Sequence, residues 1–224
     1  RVVVAGRGIE PATGRWLTEV VAEECDAIRL GALAGPAPVE EILNGGLCGG
    51  VVGSPFAEVR AMTTAALHST RYRVYGTDDL FGLQLTGAMV PVLATVLGMT
   101  DHLQGAGVGL KAVVLSRGMA EFSRLARRLG SEEATLYGLA GLGDLVAAQA
   151  QAGRPYYDAG QALAQGVRGE GPTDLARALV KLAEEAGDEL PLTSALLAVQ
   201  DGANPIEVVQ DLMGRKAQPE HKSV

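Results

Sequence analysis

Aromatic side chains are scarce: one Trp, three Phe and five Tyr in 224 residues. Such poverty argues against an aromatic-rich β sandwich, and the abundant Ala, Gly, Val and Leu suit close-packed helices and βα units. Basic blocks are missing before the last residues. A net charge of −7 and a pI near 5.0 argue against a nucleic-acid surface, which needs a basic stripe to neutralise phosphates. The chain has two cysteines, Cys25 and Cys48. They could in principle pair, but so few favour reduced thiols and a cytoplasmic location. His68, His102 and His221 stand alone, without zinc-site spacing, so no metal is expected. No signal-peptide pattern precedes the opening strand, and the expectation is a start that is trimmed or lies partway into a domain.

Charge is absent altogether between Asp79 and Asp101. About 20 apolar residues can span a bilayer. The flanks here are acidic rather than basic, however, and Gln84, Thr86, Pro91 and Thr95 interrupt the run. A helix surrounded by protein reads the same way, and that is the expectation.

Before this stretch, strands and helices alternate. "RVVVAG", "AIRLGALAG", "GGVVGS" and "RYRVYGT" have strand character, the first as a run buried on both faces of a parallel sheet. Helices are expected from Thr13 to Glu24 and over "PFAEVRAMTTAALHS", with Pro55 in the first turn. From Thr77 onward strand signals stop. Asp78 is expected to start the uncharged helix, and Val108 to Leu129 forms the next, with Arg124, Arg127 and Arg128 at the negative end of its dipole. "PTDLARALVKLAEEAG" has Leu175, Leu179, Leu182 and Ala186 on one face, Thr173 as N-cap and Gly187 as terminator. Asn204 and Pro205 open the last helix, with Glu207 three residues after the cap. The fold class is therefore α/β followed by all-α, with the break near residue 77.

Two glycine-rich segments suggest chemistry. Gly6 and Gly8 follow a strand, as in a dinucleotide loop, but Pro11 stands where a third glycine is needed. No acid closes the next strand either, so the plain reading is a tight strand-to-helix turn. In "GLAGLGDL", Asp144 either caps the helix that follows or is a carboxylate held in a cleft. Spacing alone favours the cap.

The segments "RGIEPATGRWLTEVVAEE", "RVYGTDDLFGLQLTGA", "SRGMAEFSRLARRLG", "YGLAGLGDLV" and "ELPLTSALLAVQDGANPIEVVQDLMGR" resemble bacterial NAD(P)-dependent glycerol-3-phosphate dehydrogenases in order and spacing. The resemblance covers nearly the whole chain. It implies a partial Rossmann-type sheet (residues 1–77, the first half of that domain absent) and a helical, 6-phosphogluconate-dehydrogenase-like substrate and dimerisation domain (78–224). NAD or NADP as cofactor, a homodimer, and hydride exchange between dihydroxyacetone phosphate and glycerol 3-phosphate are also implied.

At the site positions the chain departs from the family. The "K-G-I/L-E" lysine is Arg7, the "S-G-P" serine is Ala34, and the "G-A-x-K-N-V" lysine and asparagine are Val90 and Pro91. That second lysine is the family's central catalytic group, a cation that polarises the carbonyl and supplies a proton. Asp144 is kept, the threonine four residues on is Ala148, and "S-R-N-R-R" reads Arg154 to Asp158. Here Arg7 and Arg154 remain as substrate-binding candidates, Glu170 as the cofactor-binding candidate and Asp144 as the catalytic one. The expectation is a catalytically inactive homologue, a pseudoenzyme with a binding, scaffold or regulatory role toward an unidentified protein or ligand. The alternative is a working oxidoreductase on the same or a less polar substrate. A free-standing helical adaptor is weaker, because residues 1–77 would then leave a half sheet with an open edge.

Overall fold

The computed structural model describes residues 1–36, 38–103, 105–150, 155–169 and 171–215. The expected strands form as β1 (Val2–Ala5), β2 (Leu30–Ala34), β3 (Cys48–Gly53) and β4 (Tyr72–Thr77), in that spatial order. The sheet is mixed. β1 pairs with β2 and β3 with β4 in parallel, but β2 and β3 run antiparallel with Leu33 opposite Val52. The β2–β3 connection contains a short helix, α2 (Val39–Leu43), and glycines at positive φ, Gly35 and Gly45, which turn the chain back on itself. Nor is β1 buried on both faces: Val2, Val3 and Val4 are half-buried in an edge strand.

Helix α1 covers Leu17–Glu24, shorter than the pattern predicts. Gly14 takes φ +74°, Ile9 bridges Trp16, and the Leu17 N–H donates to the Gly8 carbonyl at 3.0 Å. The preceding residues therefore fold back onto the loop instead of coiling. Helix α3 (Ala57–Leu67) starts after Pro55, with Phe56 as N-cap.

After Thr77 the elements are α4 (Leu80–Met99), a 3₁₀ turn (Thr100–His102), α5 (Val108–Arg128), α6 (Glu133–Tyr137), a π-type turn (Leu139–Gly143) and α7 (Asp144–Ala150). They continue with α8 (Pro155–Ala164), α9 (Thr173–Glu185), α10 (Pro191–Gln200) and α11 (Pro205–Gly214). Helix α4 is long and apolar enough to cross a membrane, yet every residue from Gly82 to Met99 is buried inside the protein. Its cap is Asp79, one residue later than the pattern suggests. The Asp79 carboxylate accepts from the Gly82 N–H at 2.9 Å and also from the Glu132 N–H and Thr135 hydroxyl at the start of α6. One side chain thereby satisfies two helix starts.

Helix α8 lies against α4 at backbone distance. A Cβ on Gly98 would sit 2.0 Å from the Tyr157 carbonyl oxygen, and one on Gly160 would sit 2.0 Å from that of Thr95. On α9, Leu175 and Leu179 are buried with Leu182 and Ala186 packed beside them, and Gly187 (φ +70°) ends the helix. Thr173 is the first helical residue and Pro172, not Thr173, is the N-cap. Asn204 does cap α11, accepting from the Ile206 N–H at 2.9 Å. The arginines at the end of α5 are ion-paired: Arg124 and Arg128 face Asp188 at 3.5 Å, and Arg127 meets Glu133 at 2.5 Å. Both cysteines are free thiols.

Glu121 of α5 is buried and both its oxygens lie 3.1 Å from the Leu192 N–H, which docks the start of α10. Burial pushes its carboxyl up to about 8, with the Leu192 N–H and the charges of Arg124 and Arg215 opposing the rise and Asp188 adding to it.

Two outcomes follow from this packing. Gly160→Ala should destabilise the fold by about 2 kcal/mol or more in urea unfolding, because the added methyl meets a backbone carbonyl that cannot swing aside. The folded Glu121 carboxyl holds its proton more tightly than an unfolded one, so its contribution is complete below the ordinary value of 4.5 and is lost as pH rises through about 8. Glu121→Gln keeps an acceptor for the Leu192 N–H and removes the titration. Melting curves across that window should be flatter for the variant than for the parent; equal slopes would contradict the assignment.

Candidate functional site

Arg7 follows β1 in a loop pressed onto α4. A Cβ on Gly8, whose φ is +78°, would lie 1.8 Å from the Gln84 carbonyl oxygen. One on Gly87 would lie 3.3 Å from the Arg7 carbonyl carbon and 3.4 Å from the Gly8 nitrogen. The glycines of this loop therefore serve its approach to a helix, and the loop face against α4 does not fit a dinucleotide pyrophosphate. Gln84 ties the loop's far side as well, accepting from the buried Thr18 N–H at 3.1 Å.

From this anchored backbone Arg7 reaches Asp144, with Nη1 to Oδ2 at 3.0 Å. The carboxylate side chain is 7% exposed and the guanidinium 44%. Asp144 has helical backbone angles (φ −66°, ψ −38°) as the first residue of α7, and its carboxylate bonds Arg7 rather than capping the helix. The π-type turn ahead of α7 sets that direction. Gly141 makes the turn possible, since a Cβ there would stand 2.0 Å from the Leu136 carbonyl oxygen. Burial pushes the Asp144 carboxyl up, while the charge and hydrogen bond of Arg7 hold it down. The Arg7 guanidinium also lies 5.6 Å from the ring centre of Tyr156 on α8, within cation–π range. Sequence reading missed this tyrosine; its position two residues after Arg154 in the phosphate segment was the available signal.

One turn along α4 from Gly87 is Val90, on the same helix face. It is 0% exposed and belongs to the main apolar cluster with Met89, Leu93 and Leu145. Pro91 leaves the Gly87 carbonyl without its helical donor. Ala148 and Ala34 pack against apolar clusters. Of the four residues expected at the site, the structure brings Arg7 and Asp144 together; Arg154 and Glu170 lie outside the described residues. What this arrangement offers chemically is one cation already neutralised by a carboxylate. A guanidinium remains protonated at all relevant pH and cannot supply a proton as an ammonium can.

A mixed sheet leads into a helical part of the chain, and Arg7, on the loop after β1, meets Asp144 at the start of α7. Residues 79–210 match the family described as NAD-dependent glycerol-3-phosphate dehydrogenase C-terminus. The glycerol-3-phosphate dehydrogenase [NAD(P)+] of Chlorobium luteolum is 32% identical over 234 residues, covering 98% of this chain and 70% of that protein. Its counterpart from Sinorhizobium fredii is 35% identical, covering 96% and 66%. The crystal structure of glycerol-3-phosphate dehydrogenase from Coxiella burnetii superposes with TM-score 0.87 at 29% identity, over 96% of this chain and 69% of that one. The chain belongs to the NAD(P)-dependent glycerol-3-phosphate dehydrogenase family, and it spans about two thirds of the length of these relatives.

Removing the cation from this pair should cost more than neutralising the acid. Arg7→Met leaves a buried carboxylate unpaired and should lower stability by about 1–2 kcal/mol, given the partial exposure of the guanidinium. The deficit should shrink as pH falls and the Asp144 carboxyl protonates, because the charge and hydrogen bond of Arg7 favour only the ionised form. Asp144→Asn should be milder. Chemical denaturation at two pH values separates these outcomes, and a pH-independent deficit would contradict the pairing.

Proposed function

We propose that this chain is a glycerol-3-phosphate dehydrogenase homologue that does not catalyse hydride transfer and keeps the fold for binding or scaffolding. Residues 1–77 belong to the dinucleotide domain and 78–224 to the helical domain, which also carries homodimerisation. The observation that carries this reading is Val90. At the position where the resemblance puts the catalytic lysine stands a fully buried valine, enclosed by apolar side chains and followed by Pro91. Hydride arrival at a carbonyl needs a cation to hold the developing alkoxide and a proton to quench it. Valine provides neither, and Arg7 is committed to Asp144. Losing one preorganised polar group commonly costs about a hundredfold or more in rate.

A working oxidoreductase on glycerol 3-phosphate or a related substrate is the second reading. The half-exposed Arg7 guanidinium favours it, since it is placed to meet an anionic or carbonyl group. Cofactor use, as NAD, NADP or neither, belongs to the same question.

The full-length native protein is mixed with reduced nicotinamide cofactor and dihydroxyacetone phosphate, and cofactor absorbance is followed. No turnover above the uncatalysed rate is expected, and rates typical of dehydrogenases would refute the proposal. Calorimetric titration of the cofactor then separates a ligand-binding homologue from a scaffold. The double substitution Val90→Lys, Pro91→Asn should restore a small fraction of activity at most, because Ala34 and Ala148 remain. It should also lower the melting temperature, since Val90 lies in a closed apolar environment that penalises an ammonium.

A further inference from the structure

A concave feature adjoins the Arg7–Asp144 pair through the π-type turn and α7. It is a groove of about 730 Å³ on the open face of β3 and β4, lined by α2, the two strands, Leu139 and Ala147. Its size falls in the range of small-molecule sites, about 300–1,000 Å³. At the floor Gly49 lets Leu139 approach the strand, since a Cβ there would meet the Arg73 carbonyl at 2.8 Å and the Leu139 side chain at 3.4 Å. Pro36, Pro38, Leu47, Val51 and Leu139 make the walls apolar, and Leu47 is 75% exposed at the rim. Isolated exposed leucines are ordinary, but one on the rim of an apolar groove enlarges a continuous apolar surface.

The charge on this surface decides what it suits. Arg73 and Tyr75 alternate with inward-facing residues of β4 and so share the groove face. The Arg73 guanidinium lies 5.4 Å from the centre of the Tyr75 ring, and among the described residues it makes no ion pair. Glu41 also lines the groove and has an interaction of its own. Cys48 donates its thiol hydrogen to the Pro36 carbonyl at 3.2 Å, and burial holds it in the neutral form by raising its pKa. Arg73 thus stands beside an apolar trough without an ion pair among the described residues, with an aromatic face to keep it in place.

We propose that this groove binds an amphipathic carboxylate, its acid on Arg73 and its apolar part along Leu47, Val51, Leu139 and Ala147. Guanidinium and carboxylate match in geometry as well as charge, and a chain or ring too apolar for water fills the trough. The site uses neither Arg7 nor Asp144, so it stands whether or not the chain turns over dihydroxyacetone phosphate.

Octanoate, octanol and octylamine are titrated into the chain by calorimetry, without nicotinamide or phosphate present. Octanoate should bind more tightly than either matched compound. Arg73→Met, an exposed change that leaves the melting temperature in place, should weaken octanoate about tenfold or more while leaving octanol unaffected. Leu47→Ser should weaken octanoate and octanol alike. Octanoate that fails to bind, or that binds Arg73→Met as well as the parent, would overturn the proposal. So would a loss of oligomer mass with Leu47→Ser in sedimentation, which would make this face a contact between two copies of the chain.

Discussion

Helix α4 can be buried from Gly82 to Met99 only because its neighbours approach it at backbone distance. Gly8 and Gly87 let the β1–α1 loop lie on its first half, and Gly98 and Gly160 let α8 cross its second half. An uncharged helix with apolar residues all round has no solvent face to spare, so every side must be covered by some other element. The sheet, the loop and the surrounding helices are arranged to do this. Each fully buried leucine on such a helix contributes about 1.5–3 kcal/mol, which makes α4 the main apolar resource of the fold.

The position of the candidate site follows from that burial. Asp79 caps α4 and with its other oxygen holds the start of α6. Helix α6 leads through the π-type turn to Asp144, while the loop pinned by Gly8 delivers Arg7 to the same place. A salt bridge between residues far apart in sequence is thus set by two glycine contacts and one shared cap. Val90, Pro91, Ala34 and Ala148 stand where the resemblance puts polar site residues. Those replacements are compatible with a stable protein for a simple reason. A lysine or asparagine in a cleft costs desolvation, whereas valine and alanine pack into the existing clusters.

Much of the fold was legible in the sequence. The strands appear on the four segments with strand character, β1 and β3 on valine runs, and the uncharged stretch reads as a core helix from its acidic flanks. The faces of α9 and the Asn204–Pro205 start of α11 follow from local periodicity and capping chemistry, which depend on neighbours three or four residues apart. The antiparallel turn from β2 to β3 was not legible, because a glycine-rich connection with one short helix is compatible with either direction. The start of α1 was not legible either, since Ile9 and Trp16 compete with helix formation through a contact that local propensity does not contain. Thr173 has the right chemistry for a cap, but the chain enters α9 one residue earlier.

At the site, the division has the same physical origin. Residue identity alone established that no ammonium can occur at position 90 and that the remaining cation is a guanidinium. Tertiary structure alone decided that Asp144 serves Arg7 instead of its own helix, that Tyr156 lies beside that guanidinium, and that Gly8 meets α4. Side-chain chemistry is written residue by residue, while the partner of a charge is chosen by packing among elements distant in sequence.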